Sequence, residues 1–365
     1  MDYQSRRNHL QERLQRRKID AVLISQPDNR RYLSGFTARD HGIEESSGAL
    51  LVTTTGKTWL LTDSRYQLQA EEETGLPVLV YRKGLVRLLA RLLATVDCQR
   101  FAFESHYTLH SVALAYAELA EKRRIALIPL KDLVEAQRQV KSETELSLIR
   151  HAVSLNEAVF TRIYSGLSAG MSETEVAMAI ETAMHEAGAE GHSFATIVAA
   201  GSNSARPHAV PTTHRIKSSE PITIDMGLIL NGYCSDMTRS FTLGPADDRY
   251  LTIHRIVRAA QLAGLAAIRP GIPMNYVDRA ARKVIEEAGY GRYFGHSLGH
   301  GVGLAVHEAP SLSPRNRRIL KAGMVVTVEP GIYIPGWGGV RLENMAVVRD
   351  GGAELLNHDA TDLDL

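Results

Sequence analysis

Ile222-Thr-Ile-Asp225-Met-Gly227 is a β-branched, apolar run that carries one acid ahead of a glycine, and Val325-Val-Thr-Val-Glu329-Pro-Gly331 repeats the arrangement further along the chain. Short runs of this kind, closed by glycine or proline, read as buried strands. A helical pattern precedes each. Gly170-Met171 leads into a segment capped by Ser172 and Glu175, with Val176, Ile180, Ala183 and Met184 on one face, and ends at Ala187-Gly188. Gly271-Ile-Pro-Met274 leads into another through Val277, Ala281, Val284 and Ile285, ending at Ala288-Gly289. The glycine-to-glycine separation is 18 residues in both, 188 − 170 and 289 − 271. Each acid also has a second one downstream: Asp236 lies 11 residues after Asp225, and Glu343 lies 14 after Glu329. This part of the chain therefore reads as two α/β halves related by an internal pseudo-two-fold repeat, each bringing a carboxylate pair to a shared interface.

Upstream, Ser142-Glu-Thr-Glu145 opens a long helix with a capping box, and the alternation of short elements before it stops between Pro129 and Lys141. The expected division is an α/β domain over 1–132 and a second domain over 140–365, in keeping with 365 residues at roughly 150 per domain. Strands are predicted over 20–25, 48–54, 57–62, 77–81, 100–103 and 125–128, and helices over 64–73, 84–95 and 111–122. Pro27-Asp28-Asn29 reads as the turn that closes the first strand. The basic cluster Arg6, Arg7, Arg13, Arg16, Arg17 and Lys18 accompanies Leu10, Leu14 and Ile19 at near-helical spacing. With Asp2 and Glu12 interrupting it and no apolar stretch following, it reads as a surface helix rather than a targeting peptide, and the protein is expected in the cytoplasm.

Composition excludes several classes of function. Lys plus Arg total 42 and Asp plus Glu 41, a net charge of +1, so long-range capture of nucleic acid or an anionic membrane is not implied. Aromatic residues are 6% and do not interleave with basic ones, which leaves base stacking unsupported. No apolar run approaches the roughly 18 residues of a membrane span. The two cysteines, Cys98 and Cys234, stand in unlike contexts and suit a reducing compartment.

Acids bracketed by Val, Ile and Thr on strands are costly to bury unless a cation neutralises them. Asp225, Asp236, Glu329 and Glu343 with one imidazole suit two divalent ions of intermediate hardness, such as Mn, Co, Fe or Zn. The densest histidine run is Gly295-His296-Ser-Leu-Gly-His300-Gly-Val-Gly-Leu-Ala-Val-His307-Glu308, between the two acid-bearing strands, with glycines at 299, 301 and 303 that allow the backbone close to a site.

Taken in order, Ile224-Asp225-Met-Gly227, Ser235-Asp236-Met-Thr238-Arg239, Gly299-His300-Gly301, His307-Glu308, Val328-Glu329-Pro-Gly-Ile-Tyr333 and Arg341-Leu-Glu343-Asn344 resemble the pita-bread metallopeptidases: aminopeptidase P, prolidase, methionine aminopeptidase and creatinase. Ser34-Gly35-Phe36 and Thr62-Asp63-Ser-Arg65-Tyr66 look like the N-terminal domain of the proline-peptidase and creatinase branch. The resemblance implies a creatinase-like α/β domain followed by an α+β pita-bread domain. It implies a homodimer that cleaves peptides with proline in second position, as an aminopeptidase or a dipeptidase, with two divalent ions, Mn or Co before Zn or Fe. Asp225 would hold one ion, His300 and Glu329 the other, and Asp236 and Glu343 would bridge them. Glu329 is similar to the family's proton-transferring carboxylate. His208 and His307 resemble its substrate-contacting, oxyanion-stabilising histidines. His296 resembles a third pocket histidine. Arg341 would orient the carboxylates, and Thr238 would do so near Asp236.

Two positions depart from the family pattern. Asn344 stands where many relatives carry Asp. Ser311 stands where dipeptidases often place the arginine that holds a substrate carboxylate, with Arg315, Arg317 and Arg318 just downstream, which leans towards longer peptides. The alternatives are a creatinase-like hydrolase, which works without metal and need not keep five ligands, and a silent binding module with a decayed site. Gly166-Leu-Ser168-Ala-Gly170 matches a serine nucleophile elbow, but that elbow must follow a strand and 156–165 reads as helix.

Overall fold

The computed structural model describes residues 1–359. The chain folds into two compact units, Met1–Arg138 and a second that begins at Gln139.

In the first unit six strands form one mixed sheet in the spatial order Val78–Val80, Thr58–Thr62, Ala49–Thr53, Ala21–Ile24, Arg100–Glu104, Ala126–Leu130. Ala21–Ile24 runs antiparallel to Ala49–Thr53 and parallel to Arg100–Glu104, and all four of its residues are buried, as an uninterrupted apolar run requires. The next segment departs from expectation. Pro27-Asp28-Asn29 is the first turn of a helix, Pro27–Ser34, whose N-cap Gln26 accepts from the Asn29 N–H at 2.6 Å. Proline at the first helical position sacrifices no hydrogen bond, because that N–H has no helical partner. Turns and helix starts draw on the same residues, and here the burial of Tyr32 and Leu33 decides between them. The basic N-terminal segment is the helix Tyr3–Arg16, capped by Asp2 and burying Leu10 and Leu14.

The second unit contains two packed helix pairs, Glu143–Gly166 with Glu173–Glu186 and Asp248–Ala267 with Met274–Glu287. Each packs into its own core: Ile180 lies with Ile222 and Ile224 in one, and Val277 with Val326 and Val328 in the other. The capping boxes at Ser142 and Ser172 both form. Ile222–Met226 pairs antiparallel with Met237–Phe241, placing Asp225 opposite Thr238. Val325–Val328 pairs antiparallel with Asn344–Arg349. In each half, then, one acid sits at the end of the outgoing strand and the other directly before the returning strand, so the repeat presents both carboxylate pairs at equivalent places. Gly166 ends a helix, and no strand precedes Ser168, which removes the nucleophile elbow.

The strand Gly299–Gly301, which carries His300, is wedged between Glu308–Leu312 and Val325–Val328. A Cβ at residue 299 would stand 2.0 Å from the Thr327 carbonyl oxygen, and one at residue 301 would stand 2.5 Å from that of Ala309. These glycines let strand approach strand, and His300 is thereby pressed towards the acid-bearing hairpin. Among the described residues no helix is long and apolar enough to cross a membrane.

Candidate metal centre and active site

A cavity of about 520 Å³ opens over this hairpin end, and all nine candidate residues line it: His208, Asp225, Asp236, His296, His300, His307, Glu329, Arg341 and Glu343. Asp236, His300 and Glu343 each bring one ligand atom to within 4.8 Å of the others. His300 Nε2 lies 3.5 Å from Asp236 Oδ2 and 3.3 Å from Glu329 Oε1. The His300 Nδ1–H donates to the Gly301 carbonyl at 3.2 Å, which leaves Nε2 with a lone pair facing the carboxylates. Burial pushes the His300 pKa down to about 4, so the ring is a neutral ligand at physiological pH.

Asp225 stands outside that triad and is held by Arg341. Arg341 Nη2 donates to Asp225 Oδ2 at 2.6 Å, and Arg341 Nε donates to Thr238 Oγ1 at 3.1 Å. Thr238 in turn donates to Glu343 Oε2 at 2.7 Å, so its hydroxyl serves Glu343 rather than Asp236. One guanidinium thus orients two candidate ligands, one directly and one through a hydroxyl. Glu329 is steadied by Thr327 Oγ1, which donates to its Oε1 at 3.1 Å and accepts from the His300 backbone N–H at 3.0 Å.

The electrostatics call for cations. Desolvation, then neighbouring carboxylates, drives the pKa values of Asp236 and Glu343 well above the usual carboxylate range, and burial pushes Glu329 up to about 8. Four acids with one arginine among them are poorly compensated in a low-dielectric pocket. Asp225 Oδ1 and Asp236 Oδ1 are buried and have no hydrogen-bond partner. Two orphaned carboxylate oxygens of the first half, facing the buried carboxylates of the second beside a neutral imidazole, fit divalent metal ions.

The histidines divide by environment. His296 has both ring nitrogens engaged: Nδ1 lies 2.8 Å from the Ser297 carbonyl and Nε2 lies 2.8 Å from the Tyr333 hydroxyl, which itself accepts from Arg341 Nη1 at 3.0 Å. His307 is exposed, its pKa is lowered chiefly by the desolvation it does undergo, and its ring meets that of His300 edge-on at 4.3 Å between centroids. Tyr333 and Thr327 carry no role in the motif reading. Both lie within or beside the Val328–Tyr333 motif, but each also has a partner in another segment, His300 for Thr327 and His296 and Arg341 for Tyr333. Ser311 lines the cavity, whereas Arg315 and Arg318 line a neighbouring one of about 510 Å³ that shares Ser311.

Residues 147–350 match the family model of metallopeptidase family M24. The chain belongs to that family. In this M24 chain, residues 6–140 match the creatinase/prolidase N-terminal domain. Over 354 residues the chain is 34% identical to an Xaa-Pro dipeptidase of Pyrococcus horikoshii, covering 96% of each. It superposes on an Xaa-Pro dipeptidase from Bacillus anthracis with a TM-score of 0.92 at 35% identity, over 99% of both chains. An X-Pro aminopeptidase from Thermotoga maritima matches with a TM-score of 0.86 at 35% identity, over 96% of this chain and 99% of that one. Together with the intact ligand types, membership of a metallopeptidase family disfavours the metal-free hydrolase and the silent binding module.

Proposed function

We propose that this chain hydrolyses the bond ahead of proline at the second position of a peptide, using two divalent ions, Mn or Co before Zn or Fe. The observation that carries the reading is the convergence of four carboxylates and His300 on one cavity, with Asp225 Oδ1 and Asp236 Oδ1 buried and left unpaired. Asp225 Oδ1 would hold one ion, His300 Nε2 and Glu329 the other, and Asp236 and Glu343 would bridge. Ions so held would lower the pKa of a bound water enough for attack at neutral pH and would polarise the substrate carbonyl.

The chain's own groups do the rest. Glu329 accepts a proton from the attacking water at its carboxylate and returns it to the proline nitrogen as the C–N bond breaks. His208 and His307 donate N–H groups to the carbonyl oxygen as it gains charge. Arg341 and Thr238 hold the ligands, and His296, tied to Tyr333, forms part of the substrate wall. Proline's nitrogen carries no hydrogen, so the pocket needs shape more than an acceptor, and Phe194, Ile197 and Val210 give an apolar wall. Among the described residues Arg341 is the one arginine lining this cavity, and it is engaged with Asp225, which favours substrates longer than dipeptides. The protein is taken as a cytoplasmic homodimer, and its two buried cysteines, neither in a disulfide, accord with a reducing compartment.

The test is free amino acid release from an Xaa-Pro dipeptide, an Xaa-Pro-Yaa tripeptide and a Met-Ala-Yaa control, using chelated protein refilled separately with Mn, Co and Zn. Metal-restored cleavage of the tripeptide is expected. Cleavage of the dipeptide alone would overturn the length preference, and silence on every peptide with every metal would overturn the activity.

A further inference from the structure

Outside the cavity, one buried ion pair bears directly on it. Lys141 Nζ donates to Glu308 Oε1 at 2.8 Å, and the two side chains are 1% and 7% exposed. Glu308 follows His307 directly and opens the strand Glu308–Leu312. Its carboxylate also presses on the turn that leads to His307, since a Cβ at residue 303 would stand 2.5 Å from Glu308 Oε1. On the other side of that turn the Gly303 carbonyl accepts from the Cys234 N–H at 2.8 Å, two residues before Asp236.

The segment that carries Lys141 is itself anchored. Its backbone N–H donates to the Gly323 carbonyl at 2.8 Å, and Glu145, which closes the capping box with Ser142, accepts from the Tyr233 hydroxyl at 2.9 Å. The start of the long helix therefore grips the strand that follows the 302–307 turn, through Lys141 and Glu308, and the short strand Tyr233–Cys234 that bonds the turn at Gly303, through Glu145 and Tyr233. A buried ammonium–carboxylate pair is a weak source of stability, because desolvation offsets much of the attraction. What it does supply is a fixed place for Glu308, and so for the backbone that leads directly from His307, whose ring meets that of His300 at 4.3 Å between centroids.

We propose that Lys141 is a positioning residue for His307, acting through Glu308 to hold the imidazole at the cavity wall in its working orientation. This rests on the reading of His307 as a group that contacts substrate. The experiment compares the full chain with Lys141→Met, Lys141→Arg and the charge-free double variant Lys141→Met/Glu308→Gln, following tripeptide cleavage at saturating metal. In Lys141→Met, kcat falls on the order of 10- to 100-fold, the scale expected for a misplaced catalytic group, while KM moves far less. Lys141→Arg recovers most of the loss. In the double variant, thermal stability returns towards the parent while kcat stays low.

A second readout needs no substrate. In metal-free protein with 13C-labelled histidine, the His307 ring resonance, assigned with His307→Gln, shifts in Lys141→Met and in the double variant while that of His296 stays in place. An unmoved His307 resonance, or kcat restored in the double variant, overturns the proposal. The resonance decides the placement even if no peptide is cleaved, so failure of the substrate reading and failure of this one are separate results.

Discussion

Replacing Arg341 by methionine separates geometry from charge at the metal centre. The guanidinium is buried, donates to Asp225 Oδ2 at 2.6 Å, and reaches Glu343 through Thr238 at 3.1 and 2.7 Å. It also donates to the Tyr333 hydroxyl and the Pro207 carbonyl at 3.0 and 3.1 Å. Methionine keeps most of the volume and removes every donor. By charge alone the site would become more attractive to cations, since one positive group leaves a pocket with four carboxylates. By geometry it would bind worse, because two ligands lose their orientation, a change typically worth 10- to 100-fold in affinity, or about 1.4 to 2.7 kcal/mol. The account predicts that geometry wins. Titration of Mn into chelated protein against a competing chelator should show weaker binding in Arg341→Met, with Arg341→Lys in between, since an ammonium keeps the charge but not the fork. The metal-free variant should also be less stable by roughly 3 to 5 kcal/mol, the usual result of stripping one partner from a buried ion pair. Equal or tighter Mn binding in Arg341→Met would refute the reasoning.

Two further outcomes follow from the same geometry. Burial raises the folded Glu329 pKa to about 8 from an ordinary 4.5, so the folded metal-free protein retains a proton that the unfolded chain releases between those values. Its stability should therefore decline as pH rises through that window, with no such loss below it. Thermal melts of chelated protein from pH 5 to 8 should show the decline, Glu329→Gln should lessen it, and a flat profile in the parent would contradict it. Gly299→Ala should fail to fold or lose several kcal/mol, because its Cβ would stand 2.0 Å from the Thr327 carbonyl oxygen, whereas Gly295→Ala, which meets nothing within 4 Å, should melt like the parent. Similar melting temperatures for the two would refute the wedge.

Much of this architecture is legible locally. Asp225 and Glu329 stand out because an acid inside a Val-Ile-Thr run contradicts its surroundings, and the helices at Ser142 and Ser172 announce themselves through capping boxes that form as written. The matched 18-residue helix segments expose the repeat, and the repeat places the acids at equivalent hairpin positions. What stays hidden depends on partners distant in sequence. Nothing near Tyr333 signals that its hydroxyl joins Arg341 to His296, and nothing near Thr238 tells that its acceptor is Glu343, 105 positions away. Pro27-Asp28-Asn29 was ambiguous for another reason: residues that start a helix also make turns, and only the burial of Tyr32 and Leu33 chooses. The glycines at 299 and 301 suggested a close approach, but not that the approaching group is a neighbouring strand rather than a ligand.

The central claim is that the four carboxylates and His300 bind the two ions on which hydrolysis depends. The direct measurement is metal content per chain after equilibrium dialysis, read alongside tripeptide cleavage as Mn is titrated into chelated protein and into Glu343→Ala. The account predicts two ions per chain at saturation, activity that rises with their binding, and loss of both in Glu343→Ala. Full cleavage by chelated protein, or a Glu343→Ala variant that binds two ions and cleaves normally, would contradict it.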